Sequence, residues 1–146
     1  MPLHLIKLSV GTDSIEDLED WIKLKLAEQK KRGSKKPERF HTTRMVPKRA
    51  EELTDGGSLY WVIRGEVLCR QRLIDVRPFV DKGGIRRCYL VLQPKLVLVE
   101  PRLWRAFQGW RYLPSEDCPR DLDRVAPGAK HMPEALRREL RDLGLL

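Results

Sequence analysis

The middle of this chain, from about residue 40 to residue 112, is dominated by strand-like segments that no helical pattern separates. Residues 59–63, 67–76 and 85–92 are rich in β-branched and aromatic side chains, which favour strands. Strands that follow one another without intervening helices indicate an α+β fold and argue against a doubly wound parallel sheet. Because the strands are many and short, we predict a small, curved, partly open β-barrel within a single domain that covers residues 1–146.

Two helical patterns flank this strand-rich region. After a predicted strand over residues 3–10, residues 15–26 carry apolar side chains at helical spacing, with Ser14 as the predicted N-cap and Gly33 as the predicted stop. A second helix is predicted over residues 133–144, where leucines repeat at helical spacing. The predicted architecture is therefore a curved sheet with one N-terminal helix and one C-terminal helix.

The stretch over residues 42–65 combines several local signals in a short length of chain. It reads TTRMVPKRAEELTDGGSLYWVIRG: an extended segment, a short helix that begins at Pro47, a turn, and a strand that ends at Arg64. Gly56 and Gly57 form the turn. Such a glycine pair can bring backbone N–H groups close to a phosphate, but two glycines alone are weak evidence for that role, and a hairpin-type turn is the favoured explanation.

The positive charge of the chain is concentrated in one segment. The net charge is +8, yet residues 23–49 hold eleven lysines and arginines against two glutamates, a balance of +9. The remainder of the chain is therefore close to neutral. A concentrated basic patch attracts polyanions, whereas a solvated linker, with an exposed loop at about residues 32–38, would have the same composition.

We predict a nucleic-acid contact surface built on this basic segment and on two arginines beyond it. The candidate contact residues are Lys30, Lys31, Arg32, Lys35, Lys36, Arg44, Lys48, Arg49, Arg64 and Arg111, with Gly56 and Gly57 as possible backbone donors. Aromatic rings near these cations would stack on unpaired bases.

The predicted strands also determine which aromatic rings share a face. Tyr60 and Trp61 are consecutive in a strand and therefore face opposite sides. Trp110 and Tyr112 share one face, and Arg111 takes the other. If the rings are buried, Arg111 is the exposed member of its strand.

Arg64 ends an apolar strand just before a glycine, which gives it two possible roles. Its planar guanidinium can grip a phosphate or a carboxylate through two parallel hydrogen bonds, with Arg44 and Lys48 nearby. Alternatively, it forms a surface salt bridge with Glu66 or another acid.

Motifs for catalysis or metal binding are weak in this sequence. The three histidines are scattered without metal-ligand spacing, no Gly-x-Ser-x-Gly elbow exists, and the three cysteines contain no Cys-x-x-Cys pair. No cofactor and no metal is expected, and a non-catalytic role is favoured. No apolar run reaches the roughly 20 residues that span a bilayer, so we expect a cytoplasmic protein without membrane contact.

Three blocks of this chain resemble an uncharacterised family common in alphaproteobacteria, catalogued as domain of unknown function 1489. The blocks are MPLHLIKLSVG at the start, TTRMVPKRAEELTDGGSLYWVIRG in the centre and FQGWRYLPSEDCPRDL towards the end. The resemblance implies a bacterial cytoplasmic protein and supplies no activity.

The central block also resembles the PUA and ASCH superfamily of small β-barrels. Residues 47–53, the Gly56–Gly57 turn and residues 60–64 follow the order of short helix, glycine turn and strand ending in a charged residue. The lysine usual after the turn glycine is replaced by Gly57 and Ser58, and the acidic residue expected in the strand is missing. The resemblance implies a PUA-like fold and a bias towards RNA or modified nucleotides.

These observations together predict a protein that binds RNA or another nucleic acid without catalysis. The basic segment and an adjoining face of aromatic rings and arginines would form the interface. Two alternatives remain open: a protein-interaction module that docks an acidic partner, and a nucleotide-directed enzyme that uses a pocket beside Gly56 and Gly57.

Overall fold

A computed structural model describes residues 2–33, 35 and 37–144, apart from the side chain of Lys130. Within these residues the chain forms seven strands and four α-helices. In chain order they are β1 (Leu3–Leu8), α1 (Ile15–Lys31), β2 (Arg39–Thr43), α2 (Ala50–Thr54), β3 (Ser58–Ile63), β4 (Glu66–Val80), β5 (Arg86–Leu92), β6 (Val97–Leu103), β7 (Trp110–Pro114), α3 (Leu122–Val125) and α4 (Glu134–Asp142).

The strands form one mixed sheet with the order β2-β5-β4-β3-β1-β7, and β6 also pairs with β4. Only β1 and β3 run parallel among the pairs of the described strands; all others are antiparallel. The predicted α+β class is confirmed. The sheet does not close into a barrel, because the described residues contain no strand pairing between β2 and β7. The PUA-like form of the sheet therefore stays a prediction.

The long strand β4 connects the two parts of the sheet. Its first half pairs with β3 on one side and β6 on the other, while its second half pairs with β5. The register with β5 shifts between Leu73 and Asp75. Irregularities of this kind bend a strand and increase its twist. β4 therefore bends where its pairing changes from β3 and β6 to β5, and the His41 ring of β2 packs against Trp61 of β3.

Alternation along the strands divides the core into two clusters. Trp61 and Leu5 belong to the larger cluster, which Ile15, Leu18 and Ile22 of α1 cover. The opposite face holds a smaller cluster that is covered by the chain around β6 and β7. Successive residues of a strand point to opposite faces of the sheet. Because most residues of β1 and β3 are apolar, both faces carry apolar side chains and both are buried.

Tyr60 and Trp61 face opposite clusters, as the alternation predicted. Both rings are buried, so neither offers a face to an external base.

The ends of α1 follow from its capping residues. The Ser14 hydroxyl accepts the Asp17 N–H at 3.1 Å, and the Asp17 carboxylate accepts the Asp13 N–H at 3.0 Å, which confirms the predicted capping arrangement. The N–H of Ile15 donates to the Glu134 carboxylate at 3.1 Å. A side chain from α4 therefore satisfies a free donor at the start of α1.

The turn between β3 and β4 contains only Arg64 and Gly65. Both residues have positive φ, +50° and +78° respectively. Two consecutive positive φ values are typical of the tight hairpin turn whose twist matches the flanking strands. Arg64 is the non-glycine residue that adopts this left-handed conformation within the described chain, at some cost in conformational energy.

Among the described residues, no helix is both long and apolar enough to cross a membrane.

Candidate nucleic-acid interface

The last turn of α1 and the loop after it expose a group of unpaired cations. Lys30, Lys31, Arg32 and Lys35 are exposed, and none of them forms an ion pair with another described residue. Lys36, which was predicted to belong to this group, lies outside the described residues. The lysines at the end of α1 also interact favourably with the negative end of the helix dipole, which stabilises the helix. Helix stability therefore explains part of their placement.

A side-chain clamp ties this basic loop to the sheet. The Gln29 amide donates to the Glu38 carbonyl at 2.6 Å and accepts the Glu38 N–H at 2.8 Å. The Glu38 carboxylate also pairs with Arg77 at 3.1 Å. The loop between α1 and β2 is therefore held at both ends, next to Arg39, the first residue of β2.

A second group of cations follows the other end of β2. Arg44, Lys48 and Arg49 are all exposed. The Tyr112 hydroxyl accepts the backbone N–H groups of Lys48 at 3.0 Å and Arg49 at 3.1 Å. The Trp110 indole N–H donates to the Met45 carbonyl at 2.7 Å. Residues 45–49 are thus fixed against β7.

The cations of this second group differ in how far their charge is compensated. Arg49 donates to the Glu52 carboxylate at 2.7 Å and lies 5.7 Å from the centre of the Tyr112 ring. Arg44 and Lys48 have no acidic partner among the described residues. Trp110 is buried, so it anchors the segment instead of stacking on a ligand.

Together, the two groups place cations at both ends of β2. This strand pairs with β5 alone within the described sheet, so its other side is an open edge. A five-residue strand is about 16 Å long at 3.3 Å per residue. The cation groups are therefore separated by about the length of a few nucleotides.

The remaining predicted arginines lie elsewhere. Arg64 pairs with Asp13 at 3.6 Å, while Glu66, its proposed alternative partner, binds Arg141 at 2.9 Å. Arg111 is exposed and its guanidinium carbon lies 5.1 Å from the centre of the Phe107 ring. No contact between described residues joins either arginine to the cations that flank β2. Their part in binding stays a prediction.

The two turn glycines have a packing role. Gly57 is buried, and its N–H donates to the Leu53 carbonyl at 2.9 Å. A Cβ at Gly57 would lie 2.2 Å from the carbonyl oxygens of Leu3 and Leu53. Because its N–H is already bonded and backbone surrounds it, Gly57 leaves no room for a phosphate. The neighbouring Gly56 has a φ of +92°, which the turn requires.

Ser58, directly after these glycines, belongs to a buried hydrogen-bond network. Its hydroxyl accepts from Arg70 at 2.9 Å, and its backbone N–H donates to His4 Nδ1 at 3.0 Å. Arg70 also forms two hydrogen bonds of 2.8 Å with Asp121. The serine hydroxyl thus faces an arginine and not a base, an arrangement that fixes the chain around Asp121 to the sheet and does not activate a nucleophile.

A cavity of about 650 Å³ lies between the end of β1, one side of α1 and the inner face of β2. The side chains that matter for its chemistry are Lys7 on β1, Arg39 and His41 on β2, Trp61 on β3, and Trp21 and Leu24 on α1. Trp21 and Leu24 are exposed, whereas Arg39 is only 5% exposed. The cavity therefore combines buried cations with apolar walls.

The polar groups of the cavity are incompletely satisfied. Within the described structure, Arg39 Nε and His41 Nε2 are buried and have no hydrogen-bond partner. Arg39 donates through Nη1 to the carbonyl of Phe40. Neither Lys7 nor Arg39 forms an ion pair with a described residue. Trp61 meets the His41 ring edge-on, with 5.3 Å between ring centres.

The electrostatics of the cavity follow from burial and mutual repulsion. Desolvation lowers the pKa values of Lys7 and Arg39. Desolvation, followed by the charges of Lys7 and Arg39, lowers the pKa of His41 to about 4. His41 is therefore a neutral imidazole near pH 7, between two cations that lack a counter-ion.

Reasoning from the sequence missed this cavity, although one signal for it was present. Lys7 shares a strand face with Leu3 and Leu5, and Arg39 and His41 share a face of β2. Charged residues at the inward positions of a strand indicate a site. What the pattern does not show is that β1, β2 and α1 meet around those positions.

The three cysteine thiols do not indicate a functional site. Burial raises the pKa values of Cys69, Cys88 and Cys118, so these free cysteines stay protonated and unreactive. In the part of the chain that the structure describes, no three or more histidine, cysteine or acidic side chains are placed to hold a metal ion.

Comparison with known proteins gives one result. The model of the family described as "Protein of unknown function (DUF1489)" matches residues 5–146. The chain belongs to the DUF1489 family. This confirms the resemblance that the three sequence blocks predicted. Searches of curated proteins and of solved structures found no match.

This DUF1489 chain therefore offers two neighbouring features for binding. The first is the pair of exposed cation groups at the ends of β2, and the second is the cavity whose wall includes the inner face of the same strand. Both suit anionic ligands, because all of their cations except Arg49, which pairs with Glu52, lack acidic partners among the described residues.

Proposed function

We propose that this protein binds single-stranded nucleic acid, RNA in the first place, along the open edge of β2 and without catalysis. The observation that carries the proposal is the placement of unpaired, exposed cations at both ends of that strand. Phosphates of a single strand would contact Lys30, Lys31, Arg32 and Lys35 at one end and Arg44 and Lys48 at the other.

The contrast with other arginines supports a binding role for these cations. Arg70, Arg77 and Arg141 each have a carboxylate within 3.1 Å. These three arginines are compensated, whereas the cations of the proposed interface form no ion pair with a described residue, a property that they share with other exposed cations such as Arg72 and Lys95. The Gln29–Glu38 hydrogen bonds fix the backbone at Glu38, and the Tyr112 hydrogen bonds fix the backbone of Lys48 and Arg49, which lowers the entropy lost on binding beside these positions.

Three finer assignments belong to the same proposal. The sheet is a PUA-like barrel opened between β2 and β7, with residues 45–49 bridging the gap. The protein acts in the bacterial cytoplasm, as the family resemblance implies. Arg64 and Arg111 extend the interface if the nucleic acid is long enough to reach them.

The test is a fluorescence-anisotropy titration with labelled single-stranded RNA, single-stranded DNA and duplex RNA at several salt concentrations. One variant replaces Lys30, Lys31, Arg32, Lys35 and Lys36 with glutamine. A matched control replaces five exposed cations elsewhere, Arg72, Lys82, Arg86, Lys95 and Arg105, with glutamine. The two variants have the same net charge.

We expect the first variant to bind single-stranded RNA at least tenfold more weakly and the control to bind almost normally. The slope of log K against log salt should flatten by about 0.7 for each lost phosphate contact with a single strand. Equal losses in both variants would show that only net charge matters. An unchanged affinity of the first variant would show that the basic loop is only solvated.

A second candidate function has one observation in its favour, the open edge of β2. An extended acidic peptide could pair with this edge, with its carboxylates reaching the flanking cations. Backbone pairing keeps most of its strength at high salt, whereas phosphate contacts weaken steeply. A protein partner retained in 0.5 M salt, with no RNA binding, would favour this second function.

A further inference from the structure

We propose that the cavity between β1, α1 and β2 binds a nucleotide, with its phosphate between Lys7 and Arg39 and its ring against the apolar wall of α1. This inference goes beyond the proposed strand-binding function. The cavity is a built site that would hold a nucleotide whether or not the cations around β2 bind a longer strand.

The two cations of the cavity lack the counter-ions that burial requires within the described structure. Burying a charged side chain is unfavourable unless a counter-ion accompanies it. Arg39 is 5% exposed and Lys7 is half-buried, yet neither has an acidic partner in the described structure. The half-buried Arg87 and Arg141, by contrast, contact Asp81 and Glu66. An anionic ligand is the partner that the first two cations lack.

Two polar side-chain atoms of β2 are unsatisfied next to these cations. Arg39 Nε and His41 Nε2 are buried without partners among the described residues. Lys7, Arg39 and His41 all line the same cavity, and the charges of Lys7 and Arg39 both act on His41. A phosphate in the cavity offers several acceptor oxygens, so it can accept from the Lys7 ammonium and the Arg39 guanidinium at the same time, and these buried atoms can reach it only if their side chains turn towards the cavity.

The cavity also has acidic side chains in its lining. Asp17 and Asp20 on α1 also line it, and both are exposed. The Asp17 carboxylate already accepts the N–H of Asp13. These carboxylates would repel a bare anion that approached them. They are, however, good acceptors for sugar hydroxyls, as the acidic residues of dinucleotide sites are for ribose.

On the α1 side, the cavity has large apolar side chains at its rim. Trp21 is 45% exposed and Leu24 is 50% exposed on the side of α1 that faces the cavity. The Lys25 ammonium lies 4.4 Å from the centre of the Trp21 ring and occupies one of its faces. Large apolar side chains exposed at the rim of a polar cavity mark a binding surface. The cavity volume of about 650 Å³ is within the usual range for small-molecule sites.

A nucleotide could reach this cavity from two sources, as a free mononucleotide or as one unit of a single strand. The phosphate, sugar and ring are the same in both. The experiment therefore has two arms. The first measures heat of binding for the four ribonucleoside monophosphates, the matching nucleosides and inorganic phosphate. The second measures binding of a short single-stranded oligoribonucleotide.

Two variants remove the proposed phosphate contacts, Lys7→Met and Arg39→Met, and Lys95→Met is the control at an exposed cation outside the cavity. We expect a nucleoside monophosphate to bind at least tenfold more tightly than its nucleoside and than phosphate alone. Each cavity variant should lose at least tenfold in affinity, while the control loses none. If only the oligonucleotide binds, the same losses should appear in the second arm.

Two further measurements keep the proposal falsifiable if one variant folds poorly. Lys7→Met should raise the melting temperature of the free protein, because it removes an uncompensated buried charge. Nucleotide binding should shift the His41 imidazole resonances, since an anion enters next to that ring. Equal binding of nucleotides, nucleosides and phosphate would overturn the proposal. Unchanged affinity of both cavity variants, in both arms, would overturn it as well.

Discussion

The Tyr112 hydroxyl holds the second cation group against β7, and Tyr112→Phe removes that link with little change in shape. The hydroxyl accepts two backbone N–H groups, at 3.0 Å from Lys48 and 3.1 Å from Arg49. Each hydrogen bond contributes about 0.5–1.5 kcal/mol to stability. Because both bonds are exposed and water can replace the hydroxyl, the lower end of the range applies. We expect the free energy of unfolding to fall by about 1 kcal/mol.

Urea denaturation measures this loss, and amide hydrogen exchange shows where it acts. The amides of Lys48 and Arg49 should exchange faster in Tyr112→Phe, while those of β3 and β4 stay unchanged. Affinity for single-stranded RNA should also fall, because the Lys48 side chain is less well positioned.

Tyr89→Phe is the matched control for this substitution. The Tyr89 ring stacks on Phe79 with 4.1 Å between ring centres, and its hydroxyl makes no hydrogen bond with a described residue. Its removal should change stability by less than about 0.5 kcal/mol. The explanation fails if Tyr112→Phe and Tyr89→Phe unfold at the same urea concentration and the two amides keep their exchange rates.

Three further predictions concern the backbone and the pH dependence of stability. Gly57→Ala places a Cβ 2.2 Å from two buried carbonyl oxygens, so it should lower the free energy of unfolding by about 3 kcal/mol or more. Gly83→Ala is the control, because its Cβ would meet only a side-chain atom at 3.4 Å. Urea denaturation should show almost no change in stability for this control. The pKa of His41 is lowered to about 4, and that of His4 is also lowered by burial, so the unfolded chain binds more protons than the folded chain below pH 6.5. The free energy of unfolding should therefore be highest above pH 6.5 and should fall as the pH drops from 6.5 towards 4. In His41→Gln, the urea midpoints of unfolding at pH 7 and pH 4.5 should differ less than in the unmodified protein. An equally steep pH dependence in this variant would contradict the prediction. Arg64→Gly relieves the backbone strain of a non-glycine residue at a φ of +50° and loses only an exposed ion pair. Calorimetry should therefore show that the free energy of unfolding rises by up to about 1 kcal/mol. A lower melting temperature would show that the ion pair or the side chain contributes more to stability than the backbone strain costs.

Local patterns predicted much of the secondary structure because their causes are local. The cap at Ser14, the opposite faces of Tyr60 and Trp61, and the exposed position of Arg111 follow from capping chemistry and period-two alternation. The C-terminal helix was also predicted near its observed range of Glu134–Asp142. These features depend on neighbours within a few residues.

The features that the sequence did not predict depend on distant contacts. The leucines of the last helix are only partly buried, since Leu136 is 41% exposed. The strand β1 pairs with β3 and β7, which lie more than fifty and one hundred residues away. The cavity around Lys7 exists only because those pairings and α1 bring it opposite β2. No local sequence pattern predicts that β1, β2 and α1 lie together around Lys7.

The position of β1 has a consequence for how the chain acquires its structure during synthesis. β1 lies between β3 and β7 in the sheet, so one of its sides has no partner until residues 110–114 have left the ribosome. Until then the nascent chain presents an apolar strand edge that can pair wrongly or recruit a chaperone. β1 precedes the other described strands in the chain and is thus among the last of them to be completed. Slowing translation before residue 110 would prolong the vulnerable interval.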